Sequence, residues 1–497
     1  MTGSSVSWRF RPTRIALALV ASTSLIASPV SASNPITTGP SSTQTPYIVP
    51  VASGVRTVSI LTAGDTVGGY RMVGVPDGLG ALDNGDGTFT LLMNHELGFN
   101  QGVARRHGAI GAFVSRWTIS SNPESPAVSA GQDLIKQVTL WDTGSSSYVT
   151  AENEILIRTC SADLPARSAF WNAATHKGWN GTRIYMNGEE TSPNFDPGVS
   201  GRAFAHLLSG KSYELPRLGQ ASFENQVANP ASGDLTIVVG TDDNSPLGQV
   251  YVYVGSKTKS GSPIDRAGLT NGSLFGVKVP EMVDEPTTPD PLGSDATAGF
   301  TLSGFGNVEG WGGALLQADS ETALVTEFRR PEDSAWDPNH PNDLYFVTTS
   351  AFATPSRLWR LHFNDLANPA AGGTIDLLLE GSEGGHHMFD NMTIDRRGHI
   401  LIQEDPGNNA YLARIWQYDI ATDTLTAIAQ HDPARFVLGG ASFLTQDEES
   451  SGIIDASSIL GDGWFLLDVQ AHYPIGGEVV EGGQLLALYN PDSDPAN

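Results

Sequence analysis

The stretch His399–Asp419, HILIQEDPGNNAYLARIWQYD, holds a short apolar run ending in Gln403, Glu404 and Asp405, a Pro/Gly/Asn turn, and a second run rich in aromatic residues. Alternation at period two between turn residues is the pattern of a β-hairpin. The same form recurs in LTIVVGTDDNSPLGQVYVYVG (235–255), DLYFVTTSAFATPSRLWRLHF (343–363) and WFLLDVQAHYPIGGEVVEGGQLLALYN (464–490). The aromatic strands begin near residues 249, 357, 414 and 484, an irregular repeat, and helical periodicity is scarce. This organisation predicts an all-β chain with minor helical insertions, a β-propeller of six blades around a central metal-binding channel. The first strand of each pair would run inward, so that Asp242-Asp243-Asn244, Thr348-Thr349-Ser350, Gln403-Glu404-Asp405 and Gln470 with His472 converge.

Composition narrows the function. Arg9, Arg11 and Arg14 precede the apolar run IALALVASTSLIASPVSA, which ends at Val30-Ser31-Ala32. That is the pattern of a secretory signal over residues 1–32, and it predicts an extracellular or periplasmic protein. Residues 33–50, rich in Ser, Thr and Pro, read as a flexible leader, and 51–497 as one propeller domain. With 54 acidic and 28 basic residues the net charge is −26. Such a balance excludes nucleic acid as an expected partner, and no second long apolar run suggests a membrane. A monomer acting on a small molecule is expected. Cys160 is the single cysteine, so no intrachain disulfide forms. It reads as a buried thiol more readily than as a nucleophile.

No Gly-x-Ser-x-Gly elbow, His-Glu-x-x-His helix, phosphate loop or Cys-x-x-Cys pair is present. What remains is a set of carboxylates at strand ends: Glu96, the adjacent Glu189 and Glu190, Glu224, Asp242, Glu332, Asp390 and Glu404. Carboxylates that converge without compensating charge repel one another, so their convergence implies a cation. Oxygen ligands suit Ca²⁺ or Mg²⁺, and the nearby His95 and His386 leave room for a transition metal. DNGDGT (83–88) reads as a hairpin turn rather than a calcium loop. Arg105, Arg106 and His107 suit either the surface or an anionic substrate. The acidic segment TQDEESSG, with Glu448, reads as an exposed loop.

Taken in order, these segments resemble the PhoX-type alkaline phosphatases, secreted propeller enzymes with calcium and iron in a central acidic site. LLMNHEL, WNGTRIYMNGEE, ASFENQVANPASGDLTIVVGTDD, RRPEDSAWDP and FDNMTIDRRGHILIQED are similar to that family's segments from about Leu91 to Asp405. The resemblance implies a phosphate monoester hydrolase with metal ligands at Glu96, Glu189, Glu190, Glu224, Asp242, Glu332, Asp390 and Glu404, and catalytic roles for Asn94, Arg105 and Glu332. It implies Ca²⁺, with Fe³⁺ placed in doubt, because Gly188 stands where the family carries its bridging cysteine. A calcium-dependent propeller lactonase, with a His base from GGHHMFDN, and a calcium-binding propeller without catalysis stay open as alternatives.

Overall fold

The structure is a computed structural model that describes residues 35–191, 201–293, 296–381 and 383–497. The proposed signal over 1–32 lies outside these residues. The chain is mostly β, built from six antiparallel meanders whose first strands are β1 (Pro76–Asp83), β2 (Thr159–Asp163), β3 (Phe223–Ala228), β4 (Pro331–Trp336), β5 (Phe389–Ile394) and β6 (Glu448–Asp455). These six strands neighbour one another in order, and β6 returns to β1. The strand Thr297–Gly306 joins the outer edges of the third and fourth meanders into one continuous sheet.

The apolar strands quoted above are buried on both faces, which is why they read as nearly unbroken hydrophobic runs. Alternate side chains serve different neighbours. Val238 and Tyr251 pack with Ile184 and Met186 of the second meander, while Ile237, Val239 and Val250 pack with Leu344, Phe346 and Trp359 of the fourth. Equivalent clusters lie between each consecutive pair of meanders, and Leu91 and Trp117 close against Leu466 and Leu485 of the last. Each large side chain buried in this way contributes roughly 1.5–3 kcal/mol.

Two expectations change. The strands read as innermost, such as His399–Glu404, are second in their meanders, and the first strands are the bulged and more polar segments before them. The leader is also ordered from residue 35. Ile36–Thr38 pairs in parallel with Arg56–Thr62, and Ile48–Pro50 pairs with Thr424–His431. Tyr47 and Ile48 are fully buried, so the Ser/Thr/Pro-rich composition conceals an apolar anchor. The sixth meander takes its outer strand, Arg56–Thr62, from the start of the chain, so the two ends are hydrogen-bonded together.

One register recurs in all six meanders. The first strand opens opposite the second strand's end at Pro76–His95, Thr159–Glu189, Phe223–Asp242, Pro331–Thr348, Phe389–Glu404 and Glu448–Ala471. A bulge follows in each first strand, bending it and increasing its twist. Val75, Arg158, Arg330 and Met388, each immediately before a first strand, adopt left-handed backbone with φ of 51°, 40°, 57° and 47°. Non-glycine residues hold that conformation only where their surroundings enforce it.

Candidate metal centre

The repeated register carries the site. The second residue of each first strand is Asp77, Cys160, Glu224, Glu332, Asp390 or Glu449, and all six line one cavity of about 210 Å³. The residue just past each opening pair's second-strand partner adds Glu96, Glu190, Asp243, Asp405 and His472. Thr349, the sixth such position, is buried and is not among the lining residues. Arg158, Arg330 and Gln470 complete the wall.

Nine carboxylates therefore face two guanidinium groups and one imidazole. Arg158 Nη2 lies 2.9 Å from Glu96 Oε1 and also pairs with Glu190. Arg330 grips Asp243 through Nε and Nη2 at 2.8 and 2.7 Å, and stands 3.2 Å from Glu332. Gln470 Nε2 donates to Asp77 at 3.1 Å and to Glu96 at 2.9 Å. His472 Nδ1 is 2.8 Å from Glu481, and its Nε2 is 3.7 Å from Glu449.

These partners leave charge uncompensated. Burial, then the neighbouring Glu224 carboxylate, pushes Asp77 well above the carboxylate range; burial and Glu190 do the same to Glu224. Glu332 and Asp390 are raised likewise by burial, then by Asp243 and by Glu332 respectively. Burial lifts Glu190 and Asp405 to about 7. Burial opposes the charge of His472, but hydrogen bonds from Glu449 and Glu481 carry it up to about 11.

The donor atoms are already grouped. Asp77/Glu96/Cys160, Cys160/Glu190/Glu224, Glu224/Glu332/Asp390 and Asp390/Asp405/Glu449 each bring ligand atoms within 4.8 Å of one another. Consecutive groups share Cys160, Glu224 and Asp390, so they form a chain along the cavity wall. Oxygen-only groups match a hard cation such as Ca²⁺, and the groups containing Cys160 match a softer one.

Of the residues expected from the sequence, Glu96, Glu190, Glu224, Glu332 and Asp390 meet in the cavity. Glu189 is fully buried beside it, bound to Arg202 at 2.7 and 2.8 Å and to the Ile157 amide. Asp242 accepts the Ser222 amide, and Glu404 accepts the His387 and Arg414 amides with the Tyr411 hydroxyl. In each case the adjacent residue, Glu190, Asp243 or Asp405, lines the cavity, because successive side chains point to opposite sides of a strand. Asn94 is buried behind the wall, donating to the Cys160 carbonyl at 2.6 Å. Arg105 pairs with Glu478 and lies over the Phe113 ring, away from the lining residues.

The histidines also lie elsewhere. His95 bonds to the Gly74 carbonyl and the Ser115 hydroxyl, and burial lowers it to about 3. His386 and His387 are spent on backbone carbonyls of Glu383, Ser356 and Phe352, so a lactonase reading loses the base it required. Glu448 opens β6, is fully buried, and accepts the Ala413 amide.

Asp77, Glu449 and the thiol of Cys160 were missed as site residues. Cys160 Sγ lies 3.0 Å from Glu190 Oε2, so a sulfur ligand reaches the cavity from β2 rather than from position 188. Gly188 has a packing reason: a Cβ there would come within 2.3 Å of Phe223 Cβ on the next meander. The available signal was an acid or thiol one residue inside a polar segment that precedes each apolar hairpin. Asp468, in the middle of WFLLDVQ, is fully buried with neither oxygen hydrogen-bonded, and burial followed by Glu449 pushes it well up.

No protein-family model and no curated protein matches the chain. Among solved structures it is similar to PhoX of Pseudomonas fluorescens in complex with vanadate, a transition state analogue, at 12% identity over 90% of this chain and 98% of that chain, with a TM-score of 0.61. It is more distantly similar to a mutant of Trypanosoma rangeli sialidase displaying trans-sialidase activity, at 11% identity over 88% of this chain and 59% of that chain, with a TM-score of 0.31. Sqt1 from Chaetomium thermophilum follows at 9% identity, 84% and 83% coverage and a TM-score of 0.29, and neither of these two carries an argument. The first likeness is one of fold: the chain is PhoX-like in architecture.

Proposed function

We propose that the six meanders are blades of a β-propeller and that the chain is an exported, metal-dependent hydrolase of phosphate monoesters. The observation that carries this reading is the cavity in which nine carboxylates and a thiol meet two arginines. Like charges about 4 Å apart cost on the order of 4 kcal/mol per pair near a protein surface, so the wall is suited to cations. Asp77, Glu96, Glu224, Glu332, Asp390, Asp405 and Glu449 would hold Ca²⁺, and Cys160 with Glu190 gives iron a softer place. Bound metals supply Lewis-acid stabilisation of a phosphoryl group.

The chain's own residues favour that substrate class. Arg158 and Arg330 place hydrogen-bond donors on a wall otherwise made of acceptors, as an anionic phosphoryl group requires. Their guanidinium planes are held by Glu96, Glu190, Asp243 and Glu332, so they meet the substrate already oriented. At about 210 Å³ the cavity admits a phosphoryl head and leaves the alcohol part outside, which accommodates varied leaving groups. Cleavage after Ala32, a monomeric state and a small phosphorylated substrate belong to the same proposal.

Purified protein is expected to hydrolyse an aryl phosphate, to lose that activity with a chelator, and to regain it with Ca²⁺, alone or with Fe³⁺. No turnover under any of these conditions, with metal bound, would leave a calcium-binding protein without catalysis and refute the phosphatase reading. Cys160→Ser is expected to lower iron content while Ca²⁺ content holds. Equal iron in both proteins removes the thiol from the site.

A further inference from the structure

A second cavity, of about 330 Å³, lies at the outer edge of the second meander, far in sequence from the carboxylate wall. One side of it is an added hairpin, Gln137–Asp142 with Ser147–Ala151, which joins the sheet by pairing in parallel with Lys211–Tyr213. Trp141 and Tyr148 are direct cross-strand partners in this hairpin, their rings edge to face with centroids 5.1 Å apart, and both line the cavity. The indole Nε1 of Trp141 is buried without a hydrogen-bond partner. A buried donor left unpaired costs about 1–3 kcal/mol, so such a group marks a place where an acceptor belongs.

The facing wall carries charge that is already balanced. Arg217 Nε donates to Glu309 Oε2 at 2.9 Å, and Arg217 Nη1 donates to the Gly272 carbonyl. Asp265 accepts the Thr270 hydroxyl at 2.7 Å and the Ser262 amide at 2.9 Å. A charged ligand finds no unpaired counter-charge here, and an anion meets two carboxylates. A wholly apolar ligand would leave the indole N–H and the paired ions dry and unsatisfied. A polyol ring has what the cavity lacks: aliphatic C–H faces for Trp141 and Tyr148, oxygens to accept from the indole, and hydroxyls to donate into the spare lone pairs of Asp265 and Glu309. The volume lies in the range of small-ligand pockets.

We propose that this cavity is a binding site for a neutral carbohydrate unit, independent of the chemistry in the central cavity. It gives an acidic exported protein a point of attachment to glycans.

The test uses the full-length protein on a printed array of neutral and phosphorylated oligosaccharides, followed by titration calorimetry with the strongest neutral one. Binding is expected with a dissociation constant of about 1 mM or tighter. Trp141→Ala is expected to weaken it at least about tenfold at an unchanged melting temperature, since Trp141 sits on an edge hairpin. Glu309→Gln, which leaves the hairpin untouched, is expected to weaken it too. The proposal is overturned if no neutral oligosaccharide binds, if phosphorylated ones alone bind, or if both variants bind as the native protein does. Phosphatase activity is expected to be the same in the variants, so failure here is distinguishable from failure of the phosphatase reading.

Discussion

At the scale of single residues, position along a strand decides whether an acid is a ligand or a structural partner. Glu189 and Glu190 are adjacent, yet one is tied to Arg202 and the other opens into the cavity. Glu190→Gln and Glu332→Gln are expected to lower metal content measured by elemental analysis, against Glu152→Gln on the exposed surface as control. Glu189→Ala is expected to act on stability instead, by about 3 kcal/mol in denaturant unfolding, because it leaves Arg202 partly buried and unpaired. A variant that loses metal at native stability would reverse that assignment. Cys160 shows the same logic: burial, then Glu190, pushes its thiol well above the usual range, so native protein is expected to resist alkylation that proceeds readily in urea. The acids were legible as a class in the sequence, since nothing else polar recurs at strand ends. Which of two neighbours faces inward was not, because a single-residue step turns a side chain to the other side and the bulges that set the step carry no sequence mark.

At the scale of elements, the apolar hairpins were plain and the first strands were hidden. Segments such as FENQVA and FDNMTI break alternation because a bulge changes which side each residue faces. The ordered segment from residue 35 to residue 50 was missed for a related reason: Tyr47 and Ile48 are the fully buried residues in a polar stretch, and neither gives a period. Tyr47→Ala is expected to destabilise the protein by about 3 kcal/mol, read from denaturant melts. Full stability in that variant would return the segment to the status of a tether.

At the scale of the whole molecule, charge couples stability to pH and to metal. In metal-stripped protein, burial lifts Glu190 from 4.5 and Asp405 from 3.8, each to about 7. Groups raised in the folded state contribute stability that is complete below their unfolded values and is lost as pH rises through about 7. The melting temperature of stripped protein is therefore expected to fall between about pH 4 and about pH 8. Saturating Ca²⁺ should abolish that fall, because metal holds the carboxylates in their charged form, and should raise stability by about 2.7 kcal/mol at a hundredfold excess over its dissociation constant. A stripped protein whose melting temperature rises over this window contradicts the burial of these acids.

By itself the sequence determined the class of the fold and the chemical character of the site. Period-two runs bounded by turns dictate strands, and acids at strand ends without matching cations dictate a place for metal. Tertiary structure alone decided which acids meet. Asp77 and Glu449 are separated by most of the chain, and they converge because six meanders repeat one register around a closed order of strands. It also moved the thiol question from Gly188, whose missing side chain makes room for Phe223, to Cys160 on the facing strand. Local pattern records which groups a strand carries; only closure of the ring brings one strand's groups within reach of another's.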